Sequence, residues 1–175
     1  NPVEPIDTPS APRQRMIRAF PPETAEALRA WFLTNRSLEE ATFISFLALT
    51  GAPPQDVLAL TCNDITDGGI YFQRSKTARE RVTRLLSPLR ADLDEFLGSQ
   101  RIGRIFPWPA SRYRNWTKRH FHPACNELGI EATMPYDLRH AFVTLLLQEG
   151  RDLSYIAQQL GHNRGTCERY YTHLE

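Results

Sequence analysis

The chain has 175 residues, 41% of them hydrophobic and 23% charged, with a net charge of +1. Such a length and apolar content suit one globular domain with a real core. No apolar run is long enough to span a membrane, and no basic-then-apolar start resembles a secretion signal.

Residues 1 to 22 hold six prolines, at positions 2, 5, 9, 12, 21 and 22, and read as a linker or extended arm. The first residue is Asn1 rather than Met, which leads us to expect a fragment of a longer protein. Pro22 and the acids after it open a helix over 22–36. Ser37 and Glu40 form a capping-box pattern that starts a second helix over 37–50, and "TGAPP" breaks it. "PPQDVLALT" predicts a short helix restarted by a proline. "TDGGIYFQR" and "RVTRLLS" predict two short strands, with Asp67, Gly68 and Gly69 turning into the first and "SKTARE" looping between them. "PLRADLDEFLGS" is helical up to Gly98, and a further helix over roughly 110–128 stops at Gly129. Helices follow at 137–149, 153–160 and 165–174, punctuated by Gly150 and Gly161. The expected fold class is mainly α with one small antiparallel β-sheet.

Three cysteines, Cys62, Cys125 and Cys167, are too few and too far apart for a disulfide framework, so a reducing, cytoplasmic setting is expected. "HFHPAC", His120 to Cys125, places two histidines two residues apart, off a shared helix face and short of a fourth ligand, so no metal is expected there. Charge is unevenly spread. From Arg74 to Asn126, twelve Lys/Arg stand against four acids, Glu80, Asp92, Asp94 and Glu95. A basic stretch with interleaved aromatics points to a polyanion partner, with Arg74, Arg79, Arg81, Arg112, Arg114, Lys118 and Arg119 as candidate DNA contacts. The bland alternative is a solvated charged surface.

The last third, "MPYDLRHAFVTLLLQEGRDLSYIAQQLGHNRGTCERYYTHLE", resembles the C-terminal motif of the tyrosine recombinases, the phage integrase family. That motif is His-x-x-Arg at a helix start, then Leu-Gly-His, then a tyrosine nucleophile nine residues on. Arg139 in "DLRH", His162 in "LGH" and Tyr171 match its arginine, histidine and tyrosine. Upstream, "TGAPPQDVLALTCNDI" resembles the family's helix-turn segment, and "SKTARERV" its hairpin loop with the catalytic lysine, which places Lys76 there. The resemblance spans about residues 23–175 and implies the DNA breaking-rejoining catalytic-domain fold. It also implies that residues 1–22 lead from an N-terminal DNA-clamping domain that this chain lacks.

The activity so implied is site-specific DNA recombination or integration through a 3′-phosphotyrosine intermediate, without a cofactor. The partners are double-stranded DNA and further recombinase subunits, as a tetramer on paired sites or with another recombinase. The residue types fit the chemistry. A phenol with a pKa near ~10 needs help to lose its proton before it attacks phosphorus. Guanidinium groups such as that of Arg139 answer the charge on the non-bridging oxygens. Lys76 would protonate the leaving 5′-oxygen, and His162 would donate to a non-bridging oxygen. By the residues alone, Tyr170 and His140 read as structural, His140 as a buried, hydrogen-bonded support.

Two positions depart from the pattern. Pro53 stands where the family has its first catalytic arginine, and Tyr136 replaces the histidine of His-x-x-Arg. A charge-stabilising arginine in phosphoryl transfer can be worth about 10³ to 10⁵ in rate. Pro53 supplies neither charge nor donor, whereas Tyr136 keeps a hydroxyl. Impaired strand cleavage is therefore expected, unless Arg79, Arg81 or a partner chain provides the missing cation. The alternative is a catalytically degenerate relative that binds DNA or assists an active recombinase.

Overall fold

The computed structural model describes residues 20–73, 80–131 and 134–172. The linker expectation for residues 1–19 and the loop with Arg74, Lys76 and Arg79 lie outside the described residues.

Helix α1, Pro22–Asn35, begins with proline in its first turn, where a missing N–H costs nothing. It buries Ala25, Leu28 and Phe32. Ser37 caps α2, Leu38–Thr50, by accepting from Glu40 N–H at 3.2 Å. The Glu40 carboxylate does not simply reach back to complete the box. It accepts from Trp116 Nε1 at 3.0 Å and contacts His120 Nδ1 at 3.2 Å, which engages the half-buried first histidine of "HFHPAC". Phe43, Ile44, Phe46 and Leu47 are all buried. A helix apolar all round belongs in the middle of a domain, and α2 packs against α1, α3 (Pro54–Ala59), α4 (Ser87–Leu97) and α7 (Arg139–Gln148). The buried Asp92 of α4 is held by Arg29 Nε at 2.6 Å and by Ser45, which ties α1, α2 and α4 together.

The sheet has three strands rather than two, in the order β1 (Ile65–Thr66), β2 (Gly69–Phe72), β3 (Arg81–Thr83), all antiparallel. The extra strand forms because Asp67 and Gly68 make a two-residue hairpin that pairs Thr66 with Gly69. A side chain at Gly69 would sit 2.5 Å from the Thr83 carbonyl, so the close pairing needs glycine. β3 is pinned to helix α8 (Leu153–Leu160): Thr83 Oγ1 donates to Gln159 O at 2.9 Å, and Arg84 N–H donates to Gln159 Oε1 at 3.0 Å.

The helix expected over 110–128 is present but widens midway. Helix α5, Ala110–Trp116, passes through a wide turn at Thr117–Phe121 before α6, His122–Glu127. There, His122 N–H reaches back five residues to Thr117 O. Pro123 lacks an N–H, and a π-turn accommodates the lost bond without ending the path. The last third forms α7, α8 and α9 (Arg164–Tyr171), with Asp152 and Asn163 as side-chain N-caps. These three helices enclose a second apolar cluster, including Phe142, Leu146, Ile156, Leu160, Cys167 and Tyr171. No helix among the described residues is long and apolar enough to cross a membrane.

Gly51 ends α2 with φ 62° and lies against α7 and α8. A Cβ there would meet Leu160 Cδ2 at 2.7 Å and Phe142 Cδ1 at 2.9 Å. Gly51→Ala is expected to lower stability by about 2–4 kcal/mol, from left-handed strain plus overpacking. A thermal unfolding midpoint within a degree of the native one would contradict this.

Candidate active site

Arg139 opens α7 and is only 2% exposed. Its Nη1 donates to Gly51 O at the end of α2, and its Nη2 to Leu160 O, 3.4 Å away, at the end of α8. Nη2 also lies 2.9 Å from His162 Nε2. These partners are carbonyls and an imidazole rather than carboxylates. A single guanidinium thus gathers the ends of two helices around itself, and its ring-side neighbour is Tyr136, 5.7 Å from the guanidinium carbon.

His162 follows Gly161, whose φ of 68° ends α8 and turns the chain back. Burial, then the cations Arg139 and Arg81, hold its imidazole down at about 4. It is therefore neutral at pH 7 and can donate one hydrogen bond. Tyr171, on the last turn of α9, is 2% exposed, with its oxygen 3.4 Å from His140 Nδ1. Burial pushes this phenol up to about 12, with partial relief from Arg139. Burial also lowers His140, against Asp137, so it stands neutral beside the phenol. The sequence reading of His140 as a support missed this contact. The His140–Tyr171 pair joins α7 to α9 and is not visible as a spacing in the chain. Tyr170 is exposed on the other side of α9.

The depression of His162 has a sign that can be checked. The unfolded imidazole binds a proton near 6.5 and the folded one only near 4. Between those values the unfolded state binds more protons, so stability is fully present above pH 6.5 and is lost as pH falls toward 4. The unfolding midpoint should drop across that window, and His162→Asn should flatten the drop. An equally steep drop in the variant would contradict the assignment.

Pro53 and Tyr136, the two positions expected to depart from the family pattern, both lie among the described residues. Pro53 is buried immediately before α3, where its carbonyl accepts from Asp56 N–H at 2.9 Å, and it offers the pocket no charge. Tyr136 is 38% exposed at the pocket edge. Beside them stands Arg81. It was read as one of the surface contacts, but the structure buries it: β3 turns Arg81 and Thr83 inward and Val82 outward. The Arg81 guanidinium lies 4.4 Å over the Phe72 ring, and its Nη1 is 3.7 Å from Asp56 Oδ2. Burial lowers Arg81 to about 10, Asp56 opposing and Arg139 adding to the effect, so it remains a cation at neutral pH.

Other members of the basic stretch are neutralised by acids from elsewhere in the chain. Arg84 pairs with Glu149, and Arg112 pairs with Glu39 while stacking at 4.4 Å on Trp108. Arg114, Lys118 and Arg119 remain exposed on α5 and the turn after it.

A mainly helical domain with a small antiparallel sheet is the catalytic-domain fold of tyrosine recombinases, seen in the crystal structure of XerA recombinase (TM-score 0.72, 24% identity, covering 96% of this chain and 62% of that one). The catalytic domain of bacteriophage HP1 integrase is similar as well (TM-score 0.70, 19% identity, 89% and 88% covered). The phage integrase family pattern matches residues 20–175, so the chain belongs to that family. Among curated relatives, tyrosine recombinase XerC of Herpetosiphon aurantiacus is 27% identical over 188 aligned positions, spanning 99% of this chain and 61% of that protein. Tyrosine recombinase XerD of Chlorobaculum tepidum is 28% identical over 152, spanning 79% and 49%. The chain thus spans about half to three-fifths of the length of these relatives. A structure of XerH recombinase bound to its difH substrate shares the fold at TM-score 0.68, 22% identity, with 91% of this chain and 51% of that one covered.

Proposed function

We propose that this chain is the catalytic portion of a site-specific DNA recombinase or integrase. In this reading Tyr171 Oη attacks the scissile phosphorus, forming a 3′-phosphotyrosine bond as the P–O5′ bond breaks. The phenolic proton passes to His140 Nδ1, the neutral base within reach, and Lys76 protonates the leaving 5′-oxygen. Arg139 and His162 hold the non-bridging oxygens, with a neutral imidazole acting as donor beside a fixed cation. The observation that carries the reading is that Arg139 and His140 of α7 lie within reach of His162, in the turn after α8, and of Tyr171 on α9.

Residues 1–22 then link this portion to an N-terminal DNA-clamping domain. Double-stranded DNA is the substrate in this reading, and the exposed Arg114, Lys118 and Arg119 meet its backbone. Subunits assemble on paired sites, alone or with a second recombinase. The second reading, a DNA-binding relative without strand cleavage, is favoured by Pro53 and Tyr136.

The test is a nicked duplex carrying the flanks of the protein's own gene, incubated with the full-length protein. A covalent protein–DNA band supports the first reading. DNA binding without that band, under conditions where it should accumulate, favours the second.

A further inference from the structure

We propose that Arg81 supplies from β3 the phosphate-binding cation that Pro53 cannot supply, so that Arg81 and Arg139 clamp one phosphate between them. This deepens the strand-transfer reading and rests on it for the identity of the phosphate.

An arginine at an inward strand position is an expensive choice. A guanidinium is seldom almost wholly buried unless it is paired or awaits a charged ligand. Arg81 is 6% exposed, and its Nε, Nη1 and Nη2 have no hydrogen-bond partner among the described residues. Asp56 at 3.7 Å is close enough to orient the guanidinium but too far for a hydrogen bond. Arg139, the second buried guanidinium of the same pocket, likewise leaves its Nε unpartnered. Two buried cations with idle donors, both acting on the imidazole of His162, are a pairing suited to an anion with several oxygens.

The position of Arg81 matches the vacancy at 53. Asp56, which orients the Arg81 head group, lies in the turn that Pro53 begins, its N–H bonded to the Pro53 carbonyl. The Arg81 guanidinium is also held firmly. The register places Arg81 directly opposite Phe72, whose ring it covers, and Thr83 and Arg84 anchor the strand to α8 two residues before the turn that carries His162. A rigid guanidinium is what transition-state stabilisation requires, because it does not reorganise as charge develops.

The test has two readouts on the full-length protein. The first is the unfolding midpoint titrated with inorganic phosphate against chloride at matched ionic strength. Phosphate should raise the native midpoint, should raise that of Arg81→Gln far less, and should again raise that of the double variant Arg81→Gln with Pro53→Arg. The second is the rate of covalent complex formation on nicked DNA. Arg81→Gln should lose about 10² to 10³ of it, and the double variant should regain most of the loss. An arginine at 53 cannot repair a merely structural Arg81–Asp56 pair, so the rescue separates the two roles. Should Arg81→Gln fold poorly, Arg81→Lys keeps the charge near Asp56 but loses the forked donors, and its phosphate response should fall between the other two. The proposal is overturned if Arg81→Gln retains the native phosphate response, if phosphate fails to stabilise the native protein, or if Arg81→Gln cleaves at the native rate. If the native protein forms no covalent product while its phosphate response depends on Arg81, the strand-cleavage reading falls and the Arg81 assignment stands.

Discussion

Tyr171→Phe should abolish the covalent protein–DNA product while leaving the domain folded, whereas Tyr170→Phe should leave the product in place. The aromatic ring of Tyr171 fills the second apolar cluster beside Phe142 and Cys167, and phenylalanine keeps that ring. The hydroxyl contributes one long contact, 3.4 Å to His140, so its removal is expected to cost no more than about 1 kcal/mol. The chemistry loses its attacking atom outright. Knocking out a nucleophile in a cooperative site costs on the order of 10⁶ in rate, which takes the product below detection. The two tyrosines are neighbours in sequence but not in environment: Tyr171 is 2% exposed and Tyr170 37%. A covalent band that persists in Tyr171→Phe and vanishes in Tyr170→Phe would reverse the assignment. One that persists in both would sink it.

Arg139→Ala is expected to be damaging in two separable ways. Structurally, the guanidinium binds the carbonyls that end α2 and α8, and truncation leaves those oxygens buried without their donors. Each buried carbonyl left without its donor typically costs about 1–3 kcal/mol. Chemically, the pocket loses the cation nearest His162, a loss worth about 10³ to 10⁵ in phosphoryl transfer. Arg139→Lys separates the two effects. It retains a positive charge in the pocket but cannot span Gly51 O, Leu160 O and His162 at once, because an ammonium lacks the planar fork. It should therefore fold better than the alanine variant and still cleave far more slowly than the native protein. The imidazole of His162 offers an independent readout. Arg139 is one of the causes that hold it at about 4, so in Arg139→Gln, which removes the charge, its titration, followed by NMR, should move up toward 6.5. An unmoved titration would mean that Arg139 does not face His162 in solution.

Much of this site was legible in the chain because its signals are local. The stretch from Gly161 to Tyr171 contains one glycine turn, one side-chain cap and one short helix, all set by near neighbours. The same holds for Ser37 at the start of α2 and for the breaks at Gly98 and Gly129, which both adopt positive φ. Where a residue's role depends on distant partners, sequence reading did less well. Arg81 and Arg112 were read as DNA contacts of one basic stretch, yet Arg81 is buried beside Asp56 of α3, and Arg112 pairs with Glu39 of α2. β1 was missed because two residues carry no periodicity, and its pairing depends on the hairpin behind it. The helix expected over 110–128 was placed correctly, but the effect of Pro123 inside it was not foreseen.

By itself, the amino-acid sequence determined the fold class, most of the elements in their order, and the resemblance to a phage integrase pattern on which Arg139, His162 and Tyr171 were picked out. It also led to the expectation that Pro53 and Tyr136 depart from that pattern. Only the tertiary structure decided what surrounds position 53. β3 turns Arg81 inward against Phe72 and Asp56, and α7 sets His140 beside the Tyr171 hydroxyl. The physical reason is one of range. Caps, turns and motif spacings arise from residues a few positions apart, whereas the burial of a charge is settled by whichever distant segments close around it.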